Sequence, residues 1–472
     1  MKRKYLVLFA LLFPIFIMAQ NKEQLAYSIQ IDFPNLKNEK VYLGRYIMGK
    51  PYSNDSIVLD TKGRGVLKGD KALDEGLFLL YFTDGKFVDF IVGNEQHITV
   101  KGDTLSLPAN LQFGGASQTK DFFQYMLFLA KLQQNYTDKH ALLEATEDAT
   151  HKNQIELELS MYGKQLLAKQ DELINKYPNG MVSVFLKGLR ISDMPEDEIE
   201  NQVVSDSLKQ VKRYLFYKNH YFDNVNFADI RTYNTPYIVT NLETYLNRVL
   251  VQHPDSIVPP VVALVERSKG NEKTFQMMTS FMLNYGVKSK MMGMDKLMVE
   301  LGNRYYLTGK ATWADSTLIE SLRKEIKKIE TSLVGMKASN IYLANAEGEY
   351  AEFYSMCGEQ LTVLYFFEPD CGHCKKVTPQ LRDFYTKYKD DNRINVVAVY
   401  MLLDKEEWAK FIETNQLQSF TNVWDPSRVS RFWELFDTST TPMIYVLDKD
   451  KKILAKKIDV ETLEMIVKYE LK

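Results

Sequence analysis

Cysteine is scarce in this sequence, with three residues among 472. Small secreted domains that depend on disulfides for stability carry many cysteines, so three cannot form such a framework. Two of the three, Cys371 and Cys374, nevertheless stand close together in the segment FFEPDCGHCKKVTP, which covers residues 366–379. A close pair of this kind is found in redox centres, in metal sites and in structural crosslinks. Which of these it is decides the function of the chain.

A strong excess of charge of either sign is also missing. The chain has 59 Lys and Arg against 61 Asp and Glu, which gives a formal charge of −2. Nucleic-acid binding is disfavoured, because no global basic field would attract phosphates. The sequence has no phosphate-binding glycine loop, HExxH or GxSxG motif. The histidines outside the quoted segment lack metal-ligand spacing and are expected to be surface or packing residues: His97, His140, His151, His220 and His253.

Long hydrophobic runs are absent beyond the first twenty residues, MKRKYLVLFALLFPIFIMAQ. Three basic residues at positions 2–4 precede an apolar run of 13 residues, and a small alanine follows it. This order is typical of a secretory signal peptide. The run is shorter than the roughly 20 residues that span a bilayer, and Pro14 would bend a permanent helix. We therefore expect residues 1–20 to be cleaved, with an uncleaved anchor as the alternative, and the protein to be periplasmic or secreted, or associated with the membrane.

Residues 21–115 contain short β-type runs separated by turn residues. The runs include YSIQIDF, KVYLGRYI, GLFLLYF, KFVDFIV and HITVKGD, and asparagine, aspartate and glycine stand between them. Alternation of apolar and polar residues with a period of two indicates strands that bury one face. The segment therefore predicts an antiparallel β-sandwich or barrel of seven or eight strands, and we expect the sandwich.

Residues 116–333 change to a helical period. In STLIESLRKEIKKIETSL, the apolar residues recur every three or four positions and line one helix face: Leu318, Leu322, Ile326, Ile329 and Leu333. An all-α domain is therefore predicted here. Its several methionines, such as Met278 and Met282, could form a soft binding surface or copper ligands, but methionine at helical spacing is more often core filler. This domain and the β-rich one show no recognisable catalytic motif.

Residues 334–472 alternate strands and helices. The strand-like runs LTVLYFF, INVVAVYML and PMIYVL alternate with helical stretches such as KKVTPQLRDFYTKYK and KEEWAKFIETNQ, and VETLEMIVKYEL ends the chain. The order βαβαββα predicts an α/β domain with a mixed sheet covered by helices. The multidomain chain is thus expected to contain a β-sandwich, an all-α domain and this α/β domain.

The position of the cysteine pair predicts an activated thiol. A buried strand leads into Cys371 and a helix begins around it, so the thiol lies near unpaired backbone N–H groups and the positive end of the helix dipole. Both favour the thiolate. Cys374 comes three residues later on the same helix face, within reach of a disulfide that can open and close. His373 can add a positive charge, which would make the disulfide more oxidising.

The run CGHCKKVTP resembles the active-site helix of the thioredoxin family, including Pro379 five residues after the second cysteine. Thr440, Thr441 and Pro442, ahead of the strand MIYVL, resemble the cis-proline loop of that family. The resemblance covers about residues 334–472. The segment GMKASNIYL followed by CGEQLTVLYFF is similar to the opening of the secreted thiol-disulfide oxidoreductases related to TlpA and ResA. The upstream modules resemble exported proteins of Bacteroidetes whose added domains have no assigned activity.

The resemblance implies a thiol-disulfide oxidoreductase that needs no cofactor. Its Cys371 thiolate would attack a client disulfide, and Cys374 would resolve the mixed disulfide. Pro442 would shape the client groove, while Thr441 would pair its N–H and C=O with the client backbone and turn its hydroxyl towards the sulfurs. With His373, these residues form the expected catalytic set. The implied partners are protein disulfide or dithiol clients and a membrane-bound electron donor or acceptor.

Three positions depart from the resemblance. Thioredoxins carry a buried acid where this chain has Tyr365, and proteins similar to ResA often carry a glutamate where it has Val377. The usual proton acceptor for Cys374 is therefore missing, and Glu368 and Asp370 are the candidates to replace it. Asp370 also takes the place of an aromatic residue, and its charge beside the first cysteine would oppose the thiolate.

Other interpretations of the cysteines remain open at this point. A zinc site could join the pair to Cys357 and His373, although the histidine would point away from its neighbours. An inert structural disulfide is a second alternative, whereas a peroxiredoxin would need a threonine where Glu368 stands. Cys357 itself is either a small buried residue or a third, regulatory thiol. For the whole chain, the alternative function is a ligand- or partner-binding protein with a redox-inactive C-terminal domain.

Overall fold

The computed structural model describes residues 25–192, 194–195 and 205–472. The predicted signal peptide at residues 1–20 lies outside these ranges. The chain forms two compact units. The first contains residues 25–190 and Arg231–Val239, and the second contains the described residues of Ile191–Ile230 and Thr240–Lys472. Each unit has its own core.

The first unit begins with a β-sandwich, as the alternating sequence predicts. Its strands are β1 (Tyr27–Asp32), β2 (Lys40–Ile47), β3 (Lys50–Val58), β4 (Arg64–Gly69), β5 (Gly76–Phe82), β6 (Phe87–Val92), β7 (His97–Lys101) and β8 (Gln112–Gly114). They form two four-stranded sheets, in the orders β4-β1-β7-β8 and β3-β2-β5-β6. Alternate residues of both sheets meet in one apolar core. One detail differs from the predicted antiparallel sandwich. The strands β1 and β7, which are distant in sequence, pair in parallel.

Three helices cover the outer face of the second sheet within this unit. They are α1 (Ser117–Ala145), α2 (Ala149–Lys176) and α3 (Met181–Gly188). Phe122 and Phe185 pack with Leu77 and Ile91, which are strand residues on the face turned away from the sandwich core. These helices therefore bury part of the outer face of the second sheet, while β3 stays largely exposed.

The rest of the predicted all-α segment is helical as well. Its described helices are α4 (Asp206–His220), α5 (Ile230–Tyr233), α6 (Ile238–Thr244), α7 (Pro254–Arg267), α8 (Glu272–Lys288), α9 (Asp295–Leu301) and α10 (Ser316–Ile329). Met278 and Met282 are fully buried, in agreement with the interpretation as core residues. The units divide this segment, since α1–α3 group with the sandwich and α7–α10 group with the C-terminal residues. The domain boundaries at residues 116 and 334 stay predictions. Within the described part of the chain, no helix is long and apolar enough to cross a bilayer.

The C-terminal α/β fold is built on one seven-stranded sheet. Its strands are β9 (Tyr342–Ala344), β10 (Tyr350–Glu352), β11 (Leu361–Phe367), β12 (Ile394–Tyr400), β13 (Thr421–Trp424), β14 (Met443–Leu447) and β15 (Ile453–Lys456). Its helices are α11 (Gly372–Thr386), α12 (Lys405–Asn415), α13 (Phe432–Leu435) and α14 (Val460–Glu470). The strand order is β10-β9-β13-β12-β11-β14-β15. The sheet is mixed, because β11, β12 and β13 are parallel while β14 runs antiparallel to β11.

The central strand β11 is buried along its whole length and separates two apolar clusters. Its residues at positions 361, 363, 365 and 367 belong to a cluster with residues of α11, α12 and α14. Its residues at positions 364 and 366 belong to the cluster on the other face, which includes Phe353, Phe432 and Phe436. The alternation follows from the two-residue period of a strand that is covered on both sides.

Polar contacts inside the second unit connect the helical segment to this sheet. Lys456 of β15 is 3% exposed, and its ammonium nitrogen lies 2.5 Å from a carboxylate oxygen of Asp295 at the start of α9. Close to the end of α10, the Ser332 hydroxyl lies 3.2 Å from the backbone nitrogen of Asp437 and 3.3 Å from the Tyr445 hydroxyl. A buried ammonium is costly unless a counter-charge accompanies it, so the two segments depend on each other for stability.

Substitution of Asp295 by Asn is expected to destabilise the second unit by about 3 kcal/mol, because it leaves the Lys456 ammonium buried without its counter-charge. The matched control is Asp255→Asn, which removes the partner of Lys296 at a surface where the Asp255 side chain is 63% exposed. The control is expected to cost less than about 1 kcal/mol. Urea unfolding of the full chain would measure both values, and equal losses would contradict a special role for the buried pair.

Candidate active site

The strand β11 and the helix α11 place Cys371 at a helix N-terminus. Cys371 is the N-cap of α11, with extended φ and ψ of −68° and 120°. Its backbone N–H donates to the Glu368 carbonyl at 3.2 Å, and its own carbonyl accepts from the Lys375 N–H at 3.0 Å. The first bond forms the turn after β11, and the second is the first helical bond of α11. The thiol is therefore held where the unpaired N–H groups of the helix converge.

The loop before β14 lies against this thiol because of strand pairing. β14 runs antiparallel to β11, with Met443 opposite Phe366, so the residues before β14 come beside the residues after β11. The Thr441–Pro442 peptide in that loop is cis. The Cys371 thiol donates a hydrogen bond to the Thr441 carbonyl oxygen, at a sulfur–oxygen distance of 3.2 Å.

The pKa of Cys371 is lowered from its ordinary value. The largest cause is a hydrogen bond from the Thr441 side chain, and the backbone N–H groups of Cys374 and His373 and the thiol of Cys374 act in the same direction. Partial burial of the sulfur and the hydrogen bond to the Thr441 carbonyl favour the protonated thiol. The sulfur has several hydrogen-bond donors and this one acceptor around it, so the net effect lowers the pKa. Cys371 is therefore the thiol of the pair that ionises first.

Cys374 has the opposite environment. Its side chain is fully buried in the cluster between β11 and the helices α11, α12 and α14. Burial is the main cause that raises the pKa of Cys374 to about 11, and the Cys371 thiol adds to the shift. The backbone N–H of Glu368 and the Thr441 side chain act against it. The pair thus consists of one accessible, acidic thiol and one enclosed thiol that stays protonated.

The other predicted site residues are placed as follows. The His373 side chain is exposed, and the contribution of this residue to the Cys371 pKa comes from its backbone N–H. The Asp370 side chain is 89% exposed, and one of its carboxylate oxygens lies 3.6 Å from the Lys375 ammonium. This contact and solvent screening weaken the opposition of Asp370 to the thiolate. Glu368 reaches Cys374 through its backbone N–H.

Tyr365 is the residue at this site whose importance the sequence does not show. It occupies the position at which thioredoxins carry a buried acid, and it is fully buried. Its hydroxyl lies 2.7 Å from the Thr378 hydroxyl, which is also fully buried, one helical turn after Cys374. A tyrosine within a strand is usually a packing residue, so its only signal was its offset from the cysteine pair.

Cys357 belongs to a different part of the sheet. It packs against the apolar cluster on the other face of β11, and its thiol donates to the Phe353 carbonyl at 3.4 Å. Burial raises the pKa of the Cys357 thiol. A zinc site that joins Cys357 to the cysteine pair does not fit this geometry, and the described residues contain no group of side chains suited to hold a metal. All three thiols are free in the structure.

Two protein families match separate parts of the chain. A family described as thioredoxin-like matches residues 358–453, which contain both cysteines and the Thr441–Pro442 loop. A family described as a domain of unknown function, DUF5106, matches residues 202–332. The second match covers most of the helical segment in the second unit.

Two thiol-disulfide oxidoreductases are similar to part of the chain. The thiol-disulfide oxidoreductase YkuV of Bacillus subtilis is 30% identical over 96 residues, which are 20% of this chain and 64% of YkuV. The thiol-disulfide oxidoreductase ResA of Bacillus cereus is 25% identical over 146 residues, which are 30% of this chain and 78% of ResA. The chain thus spans less than two thirds of YkuV.

A crystal structure of a thioredoxin-like protein from Bacteroides caccae is 18% identical and covers 59% of this chain and 98% of that one, with a TM-score of 0.45. The family match spans the strands β11 to β14 and both cysteines of the pair described above. The chain therefore carries a C-terminal thioredoxin-like domain related to the thiol-disulfide oxidoreductases, preceded by β-rich and helical segments that include a domain of unknown function.

Proposed function

We propose that this protein exchanges disulfides with protein clients through Cys371 and Cys374. The observation that carries the proposal is the contrast between the two thiols. The half-buried Cys371 has a lowered pKa, while the pKa of the enclosed Cys374 is raised to about 11. A nucleophile must be ionised and accessible, whereas a resolving thiol must stay protonated until the client is bound.

In the proposed reaction, the Cys371 thiolate attacks one sulfur of a client disulfide. A Cys371–client disulfide forms, the client disulfide breaks, and the released client sulfur takes a proton. Cys374 then attacks the Cys371 sulfur, so that a Cys371–Cys374 disulfide forms and the second client sulfur leaves. The client is reduced by two electrons and the protein is oxidised by two. The reverse sequence oxidises a client dithiol.

The Thr441–Pro442 loop is proposed to receive the client backbone. In the reduced protein, the Thr441 carbonyl accepts the hydrogen of the Cys371 thiol. Ionisation of the thiol removes that hydrogen before the attack, and the carbonyl becomes free to accept an N–H from an extended client segment. Binding of the client strand and loss of the thiol proton are thereby coupled at one oxygen atom.

Export and an electron-transfer partner complete the proposal. The basic and then apolar order of residues 1–20 supports export, which would place the reaction in the periplasm or outside the cell. The dithiol would need regeneration there by a membrane-bound electron donor or acceptor, because each client consumes or supplies two electrons. Cell fractionation of the full chain, with and without residues 1–20, would test the location.

Alkylation kinetics should separate the two thiols. Alkylation requires the thiolate and the Cys371 pKa is lowered, so the alkylation rate of Cys371 should fall at a lower pH than that of an ordinary cysteine thiol. Cys374 should remain unmodified at neutral pH, because its pKa is about 11. Thr441→Val should raise the Cys371 pKa towards the ordinary value, and the exposed neighbour Thr440→Val is the control. Mass spectrometry would measure the alkylation of Cys371 and of Cys374 as a function of pH. A Cys371 profile equal to that of an ordinary cysteine thiol would contradict the proposal.

Client exchange should depend on both cysteines in different ways. The wild type should reduce the disulfides of insulin, and Cys371→Ser should abolish that activity. Cys374→Ala should instead accumulate clients as mixed disulfides, visible as adducts that reductant removes, because resolution is blocked. The Cys371→Ser, Cys374→Ala double variant is the control for adducts at Cys357. Equal and negligible insulin reduction by the wild type and Cys371→Ser would favour a binding protein with an inactive domain.

A further inference from the structure

The Tyr365 and Thr378 hydroxyls form an enclosed polar pair beside the resolving cysteine. Tyr365 lies on the face of β11 that packs against α11, between Val363 and Phe367 in the same apolar cluster. Thr378 and Cys374 are four residues apart in α11 and therefore share one face of the helix. Tyr365, Thr378 and Cys374 are all fully buried, and the two hydroxyl oxygens are 2.7 Å apart.

The surroundings of this pair are otherwise apolar. The Tyr365 ring stacks on Phe367, with ring centroids 5.4 Å apart. The main influences on the Cys374 pKa are burial, the Glu368 backbone N–H, the Cys371 thiol and the Thr441 side chain, while a side-chain hydrogen bond with Cys374 contributes to the raised Tyr365 pKa. A hydrogen bond in such a site is stronger than in water, and an unpaired anion there is very costly.

We propose that Tyr365, backed by Thr378, is a positioning residue for Cys374. Its hydroxyl supplies a hydrogen bond to the Cys374 sulfur as that sulfur becomes an anion, at the place where thioredoxins hold a carboxyl group. The proposal rests on the dithiol exchange described above and adds a residue that controls its second step.

The chemistry of the tyrosine decides that it acts as a donor and not as a base. Burial is the main cause that raises the Tyr365 pKa far above its ordinary value, and the neighbouring Cys374 thiol adds to the shift. The phenol is therefore neutral whenever the protein works, and it holds no charge with which to take the Cys374 proton. It can still turn its O–H towards the sulfur and accept a hydrogen bond from the Thr378 hydroxyl in return.

The proton balance of the second step follows from this role. As Cys374 attacks the Cys371 sulfur, the sulfur–sulfur bond between Cys371 and the client breaks and the client leaves as a thiolate. The proton lost by Cys374 ends on that leaving client sulfur. Tyr365 keeps its own proton throughout and only redirects its hydrogen bond, so no further acid, base or oxidant is needed.

The test isolates the second step with a small aromatic disulfide in place of a client. In a Cys357→Ala background, the remaining thiols are Cys371 and Cys374. Attack by Cys371 releases one coloured aromatic thiol, and attack by Cys374 on the resulting mixed disulfide releases the other. Stopped-flow absorbance therefore records two phases, and Cys374→Ala should show the first phase alone.

Tyr365→Phe keeps the aromatic ring and removes the hydroxyl. The second phase should slow by about tenfold, the effect of a lost hydrogen bond to a charged group. The first phase should be unchanged, because Tyr365 does not contact the client sulfur. The second phase should also need a higher pH to reach its full rate than in the parent, because the Cys374 thiolate loses a hydrogen-bond donor. Thr378→Val should cause a smaller shift in the same direction.

The matched control is Tyr385→Phe, which removes another buried hydroxyl from the same cluster. The Tyr385 hydroxyl donates to the Asn395 side chain at 3.1 Å and should leave both phases unchanged. Equal slowing by Tyr365→Phe and Tyr385→Phe, or an unshifted pH profile in Tyr365→Phe, would overturn the positioning role. A normal second phase in a wild type that fails to reduce insulin would instead overturn client exchange and leave the role of Tyr365 in place.

Discussion

The pairing of β14 with β11 is the constraint on which the site depends. Antiparallel register sets Met443 opposite Phe366, and this places the Thr441–Pro442 peptide beside the thiol that follows β11. Without this loop, the cysteine pair would still lie at a helix terminus that favours one thiolate. With the loop against it, the Cys371 sulfur gains a specific partner in Thr441, and the same residue lies where an extended client could pair. A slip of one residue in this register would turn every side chain of β14 to the wrong face.

Burial gives the identical side chains of Cys371 and Cys374 different tendencies to ionise. One turn of helix carries the chain from a solvent-facing position at Cys371 to the interior at Cys374. The first sulfur lies near helix N–H groups and is partly exposed, and the second is enclosed in an apolar cluster with aromatic rings. Since an anion is stabilised in the first place and penalised in the second, the first sulfur ionises more readily than the second. In the role proposed for it, the buried Tyr365 is a neutral donor that reduces this penalty without adding a buried charge.

The helical segment of the second unit shares polar contacts with the thioredoxin-like domain. The buried pair of Lys456 and Asp295 and the contacts of Ser332 with Asp437 and Tyr445 link it to the last strands of the sheet and to the residues before the Thr441–Pro442 loop. Groups of this kind are costly when one side is removed, so the thioredoxin-like match and the described part of the DUF5106 match outside Arg231–Val239 belong to one folded unit.

The sequence by itself determined the features that depend on local spacing. A strand, CGHC and a helix specify an N-terminal thiol with its partner one turn later, and alternation over residues 25–115 specifies the sandwich strands. Only the tertiary structure showed that β13, four residues long, joins the sheet, that Cys357 lies on the opposite face, and that Tyr365 meets Thr378 beside Cys374. These depend on which residues meet across the sheet, and no periodicity within a single segment encodes such a meeting.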